Sequence, residues 1–288
     1  MFDETTLLEA ASPTAVALTV LLYGTLLVSG TVIALTLAWR LPARRETWQQ
    51  RIQALRARPW AWTDGGLILC AVLLLVGVAM AVGARVGRDN AVALLMVESL
   101  LIDVAGLALV SGYLGWRGYT WQAALGLRRS GAGRFLAAGA VAYLALLPLV
   151  FFSSAVYQGI LSAKGYPPNL QDVALLLSGE HPLWVRLYML VLAVAVAPLF
   201  EETLFRGILL PLLARRLGTG TGVFLTSLLF AAIHLHVPSL VPLFVIATGF
   251  SLAYIYTGSL WTPIAMHGLF NGINLGLMLL LRHQGGLS

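Results

Sequence analysis

Residues 187–207 read LYMLVLAVAVAPLFEETLFRG. An uncharged stretch from Leu187 to Phe200 runs straight into Glu201, Glu202 and Arg206. Apolar runs of this kind are membrane spans when they approach about 20 residues. Charges inside a span persist only where they are paired or used. Glu202 and Arg206 are four apart, so they share a helix face and can pair. Glu201 sits about 100° further round the helix and has no basic residue at helical spacing. One carboxylate is neutralised within its own helix. The other is free to face a polar cavity.

The rest of the chain has the same character. Of 288 residues, 59% are hydrophobic and 10% are charged, where soluble domains carry roughly a quarter charged residues. Mean hydropathy is +0.87. The fold class expected is all-α, a polytopic transmembrane helical bundle. The apolar segments are long and continuous rather than alternating, which argues against a transmembrane barrel. The net charge of +6 comes almost wholly from arginine, Lys164 being the only lysine. In such a chain, basic charge reads as topology in a lipid bilayer and not as nucleic-acid binding. Cys70 is the single cysteine, which rules out a disulfide within the chain and a thiolate metal site; it is expected to pack in the core. The N-terminus, MFDETTLLEAAS, is acidic and unlike a secretory signal, so the first apolar segment is expected to be kept as an anchor.

About eight spans are expected. They cover residues 14–39, 63–84, 91–115, 135–158 and 184–216, then a helix from the turn at Gly218–Gly222 to near His236, then 240–257 and 261–281. Trp48 to Leu55 suits a short helix at the interface. The polar stretch before residue 184 contains LQDVALLL, which suits another. Trp39, Trp60, Trp116 and Trp261 stand near span ends and are expected to be interfacial anchors. No repeat is visible. The basic segments 40–58 and 117–134, with Arg215 and Arg216, fall on one side. The positive-inside rule makes that side cytoplasmic. The expected location is the inner cell membrane, multi-pass, with the N-terminus outside the cytoplasm.

Two further motifs accompany the glutamates. Phe230 and His234 share a face of the sixth helix, and His267 and Asn271 share a face of the eighth. Glu201 lies 17 residues before Gly218 and His234 lies 16 after it, so an antiparallel hairpin brings them to the same depth within about 2 Å. The same geometry leaves His267 roughly 10 Å off that level. A glutamate beside a histidine can activate water as general base. A second histidine and an asparagine can stabilise an oxyanion. That set suits amide hydrolysis. Equally, His234, His267 and Glu201 would make a His₂Glu zinc set with an open position, although no H-E-x-x-H signature is present.

In this order, E-E-x-x-x-R, F-x-x-x-H and H-x-x-x-N resemble the CPBP family, the type II CAAX prenyl endopeptidases and bacteriocin-processing enzymes, also called the ABI family. The resemblance covers about residues 120–280, and ALGLRR and PPNLQDVALLL look like the family as well. It implies that residues 116–288 form a transmembrane catalytic core. It implies that Glu201 and His234 activate the water, His267 and Asn271 hold the oxyanion, and Glu202, Arg206 and Phe230 support the site. The family is commonly labelled metalloprotease, so zinc is an open option. The implied partner is a membrane-associated protein or peptide substrate. Residues 1–115 are N-terminal helices of unassigned role. Within them Glu98 and Asp103 are expected to pair with an arginine or line the cavity. Two other classes use buried charge: a non-catalytic scaffold or bacteriocin-immunity-type protein, and a proton- or ion-coupled transporter. The lack of a repeat counts against the transporter.

Overall fold

The computed structural model describes residues 13–40, 45–86, 90–128, 130–166 and 181–284. PPNLQDVALLL lies outside the described residues. Among them the secondary structure is helical throughout: α1 (Pro13–Arg40), α2 (Arg45–Arg56), α3 (Trp62–Val86), α4 (Ala91–Trp116), α5 (Trp121–Leu125), α6 (Ala132–Ala163), α7 (Leu183–Leu217), α8 (Thr219–Ile233), α9 (Leu240–Thr257) and α10 (Trp261–Gln284). The all-α polytopic expectation holds. Helices suit hydrocarbon because every backbone hydrogen bond closes within the segment.

Among the described residues six helices are long and apolar enough to cross a membrane, against the eight expected. They are α1, α3, α4, α6, α7 and α9. Of the other two, α8 has 15 residues, short of the roughly 20 that span a bilayer, and α10 has 24. Helix α8 was expected to reach His236 but stops at Ile233. Pro238 follows in a separate short 3₁₀ turn, Val237–Ser239, where proline is tolerated near the start. Leu235 takes up the turn with a left-handed φ of 49°.

The two halves share one core. Leu55, Trp60, Ile68, Val110 and Leu114 bury against Phe200, Leu210, Tyr254 and Leu260. A second cluster joins Tyr143 and Leu147 of α6 to Phe205, Phe230, Phe250 and Met266. Two expectations are reversed here. Trp60 is wholly buried instead of interfacial, and Cys70 is exposed instead of packed. Helix α3 is apolar on every side, so composition does not mark which face packs. Its polar end is fixed differently. Asp64 accepts from the Ala61 N–H at 2.7 Å and from the Tyr113 hydroxyl at 2.7 Å, and pairs with Arg117 at 3.3 Å. Asp64 thereby holds the Arg117 guanidinium above its ordinary pKa.

Helix α7 is not a regular helix. It contains two π-helical stretches, Leu192–Val196 and Thr203–Leu209, and each is followed within two residues by a proline, Pro198 and Pro211. Proline lacks the N–H that an upstream carbonyl needs and crowds that carbonyl. The widened turns accommodate the ring, and the freed carbonyls need other donors. They find them. The buried indole N–H of Trp60 donates to Gly207 O at 2.7 Å, and Asn271 Nδ2 donates to Ala193 O at 2.7 Å. The two prolines thus fasten α7 to the N-terminal half and to α10.

Candidate active site

The two glutamates lie on α7 between these π-turns. The expected pair is present: Arg206 Nη1 donates to Glu202 Oε1 at 2.8 Å, and both side chains are 0% exposed. Arg206 Nη2 donates to Ala247 O of α9 at 3.0 Å. Its guanidinium carbon lies 4.5 Å from the Phe230 ring centroid, 5.1 Å from Phe250 and 5.9 Å from Phe205. Three aromatic faces attract the cation where no water can. Phe230, a support residue in the sequence reading, is therefore part of the arginine's cage.

Helix α10 brings His267 against this pair. His267 Nδ1 and Glu202 Oε1 are 3.0 Å apart. A carboxylate only accepts, so Nδ1 carries the proton and donates. The imidazole is stacked on Phe250 at 5.2 Å and meets the edge of Phe230 at 5.5 Å. A carboxylate on one ring nitrogen and an aromatic on the face fix both tautomer and orientation. Nε2 then points towards Glu201, 4.0 Å from its Oε2. The close approach of α10 needs Gly268, where a Cβ would come 2.5 Å from Val194 O in the first π-turn.

Glu201 is the less committed carboxylate, as its lack of a helical partner predicts. Its side chain is 22% exposed, and its Oε2 accepts no hydrogen bond among the described residues. The roughly 10 Å offset expected for His267 is not found. Hairpin counting assumed straight α-helices with a uniform rise, and the π-turns of α7 break that assumption. His234 ends α8, with Nδ1 2.7 Å from Phe230 O and its ring 4.9 Å from the Phe230 ring. Phe230 thus touches both imidazoles. Among the described residues no hydrogen bond or ion pair joins His234 to Glu201.

Two contributors were not visible in sequence, and a third was. Phe250 stacks on His267 from α9. Ala193 O holds Asn271. Asp103, expected to pair with an arginine or line the cavity, lies in a π-turn of α4, Ser99–Val104, close enough to Glu201 to interact with it electrostatically. Neither Asp103 nor Glu98 forms a salt bridge among the described residues, and Glu98 is exposed. An acid in an apolar span is the one signal that singled out Asp103, which the structure leaves half-buried.

His234, His267 and Glu201 have the chemistry of a zinc donor set. However, among the described residues no three His, Cys, Asp or Glu groups come together as a metal site. In this arrangement the residues do not fit a resident zinc.

Residues 182–273 match the family model described as Type II CAAX prenyl endopeptidase Rce1-like. No curated protein and no solved structure matches the chain. The matched stretch contains Glu201, Glu202, Arg206, Phe230, His234, Phe250, His267 and Asn271 and stops short of Asp103. The segment that builds this cluster, residues 182–273, is therefore similar to the Rce1-like type II CAAX prenyl endopeptidases.

Proposed function

We propose that the protein is an intramembrane endopeptidase that hydrolyses peptide bonds of a membrane-associated or lipid-anchored protein or peptide through a water activated by Glu201. The observation that carries this reading is the contrast between the two adjacent carboxylates. Glu202 Oε1 takes both Arg206 and His267, leaving Oε2 alone without a partner, while Glu201 forms no hydrogen bond among the described residues and faces His267 Nε2. A gap of 4.0 Å is one that a single water bridges with two ordinary hydrogen bonds of about 2.8 Å.

In this mechanism Glu201 takes one hydrogen of the water as it attacks the scissile carbonyl. The second hydrogen is assigned to His234 Nε2, which makes no hydrogen bond among the described residues. A C–O bond forms, and the carbonyl oxygen becomes an oxyanion. His267, held by Glu202 at Nδ1, turns Nε2 to this oxyanion and donates to it once the ring carries a proton on both nitrogens. The amide N–H of Asn271 not engaged by Ala193 donates alongside. Collapse breaks the C–N bond, and the proton held by Glu201 passes to the leaving amine. Burial of Arg206 and Glu202 keeps the support rigid during these steps. The membrane location suits a substrate delivered by lipid or by its own apolar segment.

The test compares peptide termini in membranes expressing wild type or Glu201→Gln at matched levels. New termini produced by the wild type alone are expected, with the variant folded and silent. General-base catalysis is worth about 10²–10⁴-fold, so residual cleavage should fall below detection. Equal termini from both would remove Glu201 from catalysis. No termini from either would favour a non-catalytic scaffold. Metal analysis of the purified protein addresses zinc: a stoichiometric ion would recast Glu201, His234 and His267 as ligands.

A further inference from the structure

At the end of α9, where the Val237–Thr257 span finishes, lies a cavity of about 100 Å³ between α2 and α9. By the liquid share of a water, that is room for roughly three waters, enough for one small tetrahedral group. Arg51 and Arg58 line it, with Tyr254, Tyr256 and Thr257, and no carboxylate does. Neither arginine forms a salt bridge among the described residues.

The two cations are held in place by other means. Arg58 donates from Nη1 to Gln122 O at 3.2 Å and Ala123 O at 2.9 Å, and from Nη2 to Gly258 O at 2.9 Å. Its Nε is buried and has no hydrogen-bond partner. Arg51 lies over the Tyr256 ring, 4.1 Å from its centroid. Two fixed guanidinium groups, each with N–H donors left over (on Nη2 for Arg58, whose Nε is itself buried), thus line a cavity that no carboxylate lines. Guanidinium recognises phosphate oxygens by paired N–H donors, and a boundary position at the bilayer surface is where lipid phosphates lie.

We infer that this cavity is a phosphate-binding site, filled by the phosphate of an anionic phospholipid or by free inorganic phosphate. It lies outside residues 182–273 for Arg51 and Arg58, and it does not depend on the protease reading. The site would clamp α2 to the end of α9, and α9 carries the Ala247 carbonyl that holds Arg206.

Native mass spectrometry of the detergent-purified full chain tests it, titrated with phosphatidylglycerol, with diacylglycerol lacking phosphate, and with inorganic phosphate. Wild type is expected to retain phosphatidylglycerol but not diacylglycerol. Arg51→Gln should weaken that retention about fivefold, the effect of one arginine near a lipid phosphate. Arg51 has no described partner besides the Tyr256 ring, so this variant should fold. Arg56→Gln removes an exposed arginine of the same helix that does not line the cavity, and should change nothing. Displacement of the lipid by millimolar inorganic phosphate would identify free phosphate as a ligand; retention would identify the lipid. Equal retention of both lipids, or equal weakening by Arg51→Gln and Arg56→Gln, would overturn the site in favour of diffuse surface charge.

Discussion

Arg206 and Arg215 sit nine residues apart on α7 and solve the same problem in different ways. Arg206 is sealed in the bundle, where it has a carboxylate, one backbone carbonyl and three aromatic faces. Arg215 is at the helix end and pairs with no carboxylate among the described residues. It donates to three backbone carbonyls of the α2–α3 connection: Arg56 O at 2.9 Å, Trp60 O at 2.9 Å and Arg58 O. In hydrocarbon a cation must be cancelled by an anion. At the rim, carbonyl dipoles and water are enough. The consequence for function lies in the first case. Arg206 consumes Glu202, Glu202 in turn holds His267, and the neighbouring Glu201 is left uncommitted.

The largest expected effect comes from breaking the buried pair. Arg206→Ala leaves Glu202 charged and wholly buried. Loss of one partner of a buried pair costs about 3–5 kcal/mol, so the variant should fail to accumulate in membranes as a monodisperse species on size-exclusion chromatography. A sharper version removes both charges. Arg206→Met with Glu202→Leu leaves no stranded ion, because a buried pair can often be replaced by apolar residues with little loss. That double variant should recover much of the accumulation and still release no new termini, since His267 has lost its anchor. Recovery of cleavage along with accumulation would show that Glu202 serves stability alone.

A smaller effect is expected at the proline-freed carbonyl. Trp60→Phe keeps the aromatic bulk and deletes the indole N–H, leaving Gly207 O buried without its donor. An unsatisfied buried group costs about 1–3 kcal/mol. The melting temperature in detergent should fall by several degrees while cleavage by the folded fraction is kept. An unchanged melting temperature would mean that Gly207 O has found another donor.

The legible part of this molecule followed from short-range rules. Hydropathy placed α3, α4, α6, α7 and α9 within a few residues of their observed ends, and i,i+4 spacing predicted the Glu202–Arg206 pair. Depth and facing were not legible. The hairpin count put His267 off the level of Glu201 because it used a uniform helical rise, and neither π-turn of α7 has a strong sequence signature, although both prolines were in view. Apolarity on all sides of α3 hid which residues pack, so Trp60 and Cys70 were read the wrong way round. Phe250 was unreadable as a partner of His267, since one phenylalanine among many in apolar helices carries no mark of what it stacks on.

The smallest effect belongs to the rim. Arg215→Gln removes hydrogen bonds to three carbonyls, more than Trp60→Phe removes, yet the loss should be about 1 kcal/mol or less. Arg56 O and Arg58 O lie beside exposed residues, and although Trp60 is buried, its carbonyl meets the exposed Arg215, so the shorter glutamine admits water to all three and only the net value of a hydrogen bond is at stake. Denaturation of the purified variant should therefore lie close to wild type and far from Arg206→Ala. Near-equal damage from Arg215→Gln and Arg206→Ala would mean that water does not reach this end of the bundle. The contrast between the two arginines would then rest on carboxylate pairing alone, and the three carbonyls would have to be counted as part of the buried core.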